Sequence, residues 1–116
     1  MSEIVYKICH KEEWQTALKH QVYKGSSLDL QDGFIHLSTA DQAAETARLH
    51  FANQSGLMLI AVDPTGLIIR YEPSRDGQLF PHLYGDLPVD HALWAEALPL
   101  GADGTPEVES LLKKHR

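Results

Sequence analysis

A chain of 116 residues, 43% of them hydrophobic and 22% charged, is enough for one globular domain with one core and too short for two. Its formal net charge of −6 excludes a generally basic surface, and with it broad nucleic-acid binding. The single cysteine, Cys9, excludes an internal disulfide, and seven histidines without short ligand spacing argue against a structural metal centre. The first residues lack the apolar core of a secretory leader and no run reaches membrane-spanning length, so a cytoplasmic protein with no membrane partner is expected.

Residues 3–9 are β-branched and aromatic enough to predict a first strand. A helix follows from Lys11 to about His20, with Trp14, Ala17 and Leu18 as its apolar stripe. Residues 23–27 read as a loop that leads to an Asp32-Gly33 turn. From there one short strand is expected, with Phe34, His36 and Ser38 on one face and Ile35 and Leu37 on the other. Thr39 and Gln42 have capping-box spacing, which predicts a helix from Ala40 to Asn53 that Gly56 stops. Residues 57–62 are the most hydrophobic run and read as a central strand. After the turn at 63–66, residues 67–72 read as its hairpin partner, with Arg70 and Glu72 on one face. A polar loop over 73–78 carries Arg75, and an extended stretch over 79–85 puts His82 and Tyr84 on one face. A turn and another strand fill 88–98, and Thr105-Pro106-Glu107 opens a last helix running to Arg116. Strands in the middle and helices towards each end make a single α+β domain over residues 1–116.

The chemistry concentrates in two stretches. His36 lies beside a helix start, where free N–H groups favour anions, so it is a candidate to hold a ribose or phosphate or to act as acid or base. The plainer reading is an internal histidine bonded to backbone. Ser38, Thr39 and Gln42 share that wall, although capping explains Thr39 and also accounts for Gln42. In the second stretch Glu72 is the carboxylate best suited to chemistry: it would stabilise a developing oxocarbenium ion or hold a ribose hydroxyl, unless it only pairs with Arg70 or Arg75. Arg75 has the fork to bind phosphate or carboxylate, although a loop arginine needs no special role. His82 and Tyr84 form a second polar pair next to Phe80, a candidate for stacking or for the core. Trp14 and Trp94 read as core residues.

Gly33-Phe34-Ile35-His36-Leu37-Ser38-Thr39, Glu72-Pro73-Ser74-Arg75 and Phe80-Pro81-His82-Leu83-Tyr84-Gly85 together resemble the DUF952 family of small bacterial and plant proteins. The resemblance runs from Tyr6 to about Leu98 and includes Trp14, Tyr23, Gln42 and Phe51. It implies an ADP-ribosyltransferase-like fold, a compact split antiparallel sheet with flanking helices. Many proteins of that class bind NAD, so the resemblance makes NAD the candidate ligand in place of a known cofactor. It also implies roles for His36, for Ser38 or Tyr84, and for Glu72; with the residues read above, the catalytic candidates are His36 and Glu72 and the ligand-binding candidates Ser38, Thr39, Gln42, Arg75, His82 and Tyr84. A nucleotide-like small molecule is the expected partner. The other readings are a non-catalytic small-molecule sensor and a protein-interaction module.

Overall fold

The computed structural model describes residues 3–115, the side chain of Arg75 excepted. Strand β1 (Val5–His10) alternates between two buried faces and passes directly into helix α1 (Lys11–His20). The Glu13 carboxylate accepts the His10 N–H at 2.9 Å, which fixes the helix start, and Trp14 and Ala17 face inward. Gln21 ends α1 in the left-handed region, and strand β2 (Val22–Tyr23) follows.

Residues 27–32 form a short helix, α2 (Ser27–Asp32), in the stretch leading up to the expected turn. Ser26 and Asp29 make its capping box: the Ser26 hydroxyl accepts from the Asp29 N–H at 3.2 Å, and Asp29 Oδ2 accepts from the Ser26 N–H at 2.9 Å. Six residues are too few to display a helical period, which is why only the cap betrays the element. Gly33 closes α2 with φ of 86°, a conformation open to glycine.

The single strand expected over 34–38 is two: β3 (Ile35–His36) and β4 (Ser38–Thr39). Between them the chain changes sheets at Leu37, whose side chain is buried and whose N–H donates to the Pro81 carbonyl at 3.0 Å. Helix α3 (Ala40–His50) starts at the expected cap, where Gln42 Oε1 accepts the Thr39 N–H at 3.1 Å. It ends before Asn53, which takes a left-handed φ and gives its N–H to the Gly104 carbonyl at 2.7 Å.

Strand β5 (Leu57–Val62) is central, as expected, but its hairpin partner is not residues 67–72. Strand β6 (Ile69–Pro73) instead pairs with β7 (Leu79–Leu83). Both edges of the buried β5 are taken, by β1 and by β9 (Ala92–Leu98), which leaves the more exposed β6 to a smaller sheet. Strand β8 (Leu87–Pro88) pairs with β2. Helix α4 (Val108–Lys114) begins three residues after Thr105, because Pro106 bridges to Leu100 first, and Arg116 lies outside the described residues.

Among the described residues three antiparallel sheets result, in the orders β4-β1-β5-β9, β3-β7-β6 and β2-β8. One face of the largest sheet carries Tyr6, Ile8, Leu59 and Ala61 against Ala43 and Ala47 of α3 and Leu111 and Leu112 of α4. The other carries Val5, Cys9, Ile60 and Val62 against Trp14 and Ala17 of α1 and Ile35, Leu37 and Leu83. The architecture is α+β, with the smaller sheets stacked on the second face.

Candidate functional site

Alternation along β1 places Lys7 in the same phase as Val5 and Cys9, on the face covered by α1 and the smaller sheets. A lysine there needs a counter-charge, and α2 supplies one. Lys7 Nζ lies 2.8 Å from Asp29 Oδ2, with the two side chains only 7% and 2% exposed. The ammonium also donates to the His36 carbonyl at 3.1 Å. Burial by itself pushes the Asp29 carboxyl up. Hydrogen bonds from His36 and Lys7, the Lys7 charge and the Ser26 N–H outweigh it and hold the group well below the usual carboxylate range.

Asp29 also sets His36. Its Oδ1 accepts the His36 backbone N–H at 3.1 Å and sits 2.6 Å from ring Nδ1. The other ring nitrogen, Nε2, lies 2.9 Å from Asp32 Oδ2 at the end of α2. A carboxylate only accepts, so this arrangement is satisfied by donation from both ring nitrogens.

His82 stands opposite His36 in the β3–β7 register, with ring centroids 5.6 Å apart. Its Nδ1 lies 2.8 Å from Glu72 Oε1, the atom that also accepts the Tyr84 hydroxyl at 2.6 Å. Hydrogen bonds from Tyr84 and His82 hold the Glu72 carboxyl below its ordinary value, and the bond to Glu72 raises the Tyr84 phenol. Phe34 packs on both histidines, stacked on His82 at 4.1 Å and tilted on His36 at 4.7 Å. The Arg70 guanidinium lies 5.5 Å above the Tyr84 ring, on the outer side of this cluster.

A cavity of about 580 Å³ opens beside the two histidines. His36, Ser38 and His82 reach it from β3, β4 and β7, while Lys7 and Asp29 form part of its wall. Ser38 bonds Thr46 of α3 at 3.1 Å. Cys9 also lines it, but burial pushes the thiol up to about 12, which leaves it a poor nucleophile. Among the described residues no group of three or more His, Cys, Asp and Glu side chains is arranged to hold a metal ion.

The candidates of the sequence therefore separate. The structure brings His36, Ser38 and His82 together on the cavity, with Glu72 and Tyr84 behind His82. Thr39 and Gln42 are placed at the start of α3, where the Gln42 side chain accepts from Thr39 and donates to the Leu79 carbonyl at 2.8 Å. The Arg75 side chain lies outside the described residues. Sequence reasoning missed Lys7, Asp29 and Asp32. Two signals were present: a charge in the inward phase of a strand, and a Ser-x-x-Asp box ahead of the Asp32-Gly33 turn.

These features define a small α+β protein with a histidine-walled cavity where its sheets meet. The chain belongs to the DUF952 family of proteins of unknown function, whose pattern it matches over residues 8–95. It is similar to protein CC0527 from Caulobacter crescentus, at 43% identity. The crystal structure of that protein has a TM-score of 0.90, covering 95% of this chain and 98% of the other. The solution structure of CC0527 gives a TM-score of 0.83, over 93% and 95% of the two chains. No curated protein matches the chain.

Proposed function

We propose that this chain binds a small ribose-phosphate ligand in the cavity, with NAD as the first candidate, on an ADP-ribosyltransferase-like frame. One observation carries this reading: His36, Ser38 and His82, from three strands, converge on a single concave wall. The cavity, at about 580 Å³, is of the size that small-molecule sites have. Phe51 and Phe80 on its lining offer flat apolar faces to a base, and His10 and His50 offer donors to a phosphate.

Binding is better supported than transfer. Reaction at the ribosyl carbon asks for a carboxylate against the ribose. Glu72 Oε1 is engaged by Tyr84 and His82, and Glu72 acts on the cavity through the His82 ring. A ligand sensor without turnover fits the same geometry.

Thermal unfolding in the presence of NAD, ADP-ribose, AMP and ribose 5-phosphate tests this. A true ligand at a hundredfold excess over Kd stabilises the fold by about 2.7 kcal/mol. His82→Gln should weaken that binding about tenfold while the protein stays folded. No stabilisation by any of the four up to millimolar concentration would remove the reading.

A further inference from the structure

His36 and His82 form a matched but asymmetric pair. They are register partners on adjacent strands, each with a carboxylate at Nδ1: Asp29 at 2.6 Å and Glu72 at 2.8 Å. At His36, Nε2 also faces a carboxylate, so both of its nitrogens serve as donors. At His82 the carboxylate of Glu72 holds Nδ1 alone, and with Nδ1 as the donor it is Nε2 that is left to accept. An imidazole held at both nitrogens and one held at a single nitrogen thus stand side by side, their ring centroids 5.6 Å apart, on the lining of one cavity.

The surrounding charge selects what fits between them. Asp29, Asp32 and Glu72 all lie within hydrogen-bonding distance of the two rings, and the Lys7 ammonium is bound to Asp29. Arg70 is the register partner of His82 on β6, and its guanidinium lies over the Tyr84 ring. An anionic group placed against the edges of the two rings would meet three carboxylates only partly offset by Lys7 and Arg70, whereas a neutral carbonyl would not be repelled. Enolisation of a neutral carbonyl compound asks for these two groups alone, a base at the α-carbon and an acid at the carbonyl oxygen.

We propose that His82 and His36 act as general base and general acid in proton transfer α to the carbonyl of a small hydroxycarbonyl compound, the open-chain end of a sugar or sugar phosphate. The proposal rests on the cavity being a ligand site, as inferred above. His82 Nε2 takes the proton from the α-carbon, and the C–H electron pair becomes the C=C bond. The carbonyl π pair takes the proton from His36 Nε2, which exchanges its exposed Asp32 partner for the substrate oxygen. The enediol then collapses by the reverse steps at the neighbouring carbon, so both protons are returned and no oxidant or co-reactant is consumed. Asp29 and Glu72 are positioning residues that decide which nitrogen meets the substrate.

The experiment is deuterium wash-in from D2O at the α-carbon of dihydroxyacetone, D-ribose and D-ribose 5-phosphate, followed by proton NMR. Exchange above the buffer rate is expected with at least one of them. His82→Gln and His36→Gln should each lower it about 100-fold. Glu72→Gln should lower kcat about tenfold with KM unchanged, a split that a purely structural role would not produce. Buffer-level exchange with all three compounds, or wild-type exchange in folded His82→Gln, overturns the proposal. Should His82→Gln fail to fold, the half-exposed His36→Gln decides, and undiminished exchange there is equally fatal. Nucleotide binding without exchange sinks the proton transfer alone; exchange on dihydroxyacetone or D-ribose with no binding of the nucleotides or ribose 5-phosphate upholds it and removes the ribose-phosphate reading.

Discussion

Two carboxylate–histidine pairs face each other across the β3–β7 ladder, and their burial is inverted. In the Asp29–His36 pair the acid is 2% exposed and the histidine 30%. In the Glu72–His82 pair the histidine is 6% exposed and the acid 36%. The first is anchored from inside, by a carboxylate that Lys7 and the α2 cap hold in place. The second is anchored from outside, by a carboxylate that Tyr84 steadies at the surface. Opposite burial lets two chemically similar pairs present different surroundings to one cavity.

The inner pair should be the costly one to disturb. Lys7→Met leaves Asp29 buried without its ammonium, and about 3–5 kcal/mol of stability should be lost in chemical denaturation. Replacing both members, Lys7→Met with Asp29→Leu, should cost less than the two single changes summed, a coupling that a double-mutant cycle reads.

Acid should dissect the same pair. A carboxyl held below its ordinary 3.8 binds fewer protons folded than unfolded, so its contribution is complete above that pH and declines as the pH falls below it. Asp29→Asn should be less stable than wild type by about 3 kcal/mol at neutral pH. The gap should narrow on acidification below 3.8. A constant gap across that range would mean that Asp29 is not the anchor.

Gly25 tests the approach of the backbone to that anchor. It sits at φ of 113°, and an added Cβ would lie 2.8 Å from the Asp29 Cβ. Gly25→Ala should therefore lose about 1–3 kcal/mol and disturb the His36 ring resonances by NMR.

The outer pair should be cheap to break. Glu72→Gln is expected to cost clearly less stability than Asp29→Asn, because this carboxylate keeps contact with water. It should also let the Tyr84 phenol titrate closer to its ordinary 10.0, visible in the pH dependence of tyrosine absorbance, because the bond to Glu72 is what raises it. A large loss of stability would show that the two pairs are not inverted in the sense described.

Much of the fold was legible because it obeys local rules. The helix at 11–20, the strand at 57–62 and the cap at Thr39 depend on period, run length and spacing, and all stand as expected. The pairing of β6 was not legible, since residues 67–72 alternate equally well against β5 or β7 and only occupancy of the β5 edges decides. On the site, alternation predicts that Arg70 and Glu72 share a face and that His82 and Tyr84 do, but only the unexpected β6–β7 pairing brings Glu72 to His82 and Tyr84. The first stretch was not legible either, because Asp29 and Lys7 meet through a fold that carries residues 22 apart in the chain to one point.

The change of sheet at Leu37 has a kinetic consequence. His36 and Ser38 are next-but-one neighbours, yet they belong to separate ladders, β3 with β7 and β4 with β1, and the Leu37 N–H to the Pro81 carbonyl is the last rung of the first. If β3 parts from β7, that bond must open, and His36 and His82 separate with it. Hydrogen exchange at the Leu37 amide is thus a clock for the assembled site, and its protection measures how long both histidines stay facing the same space.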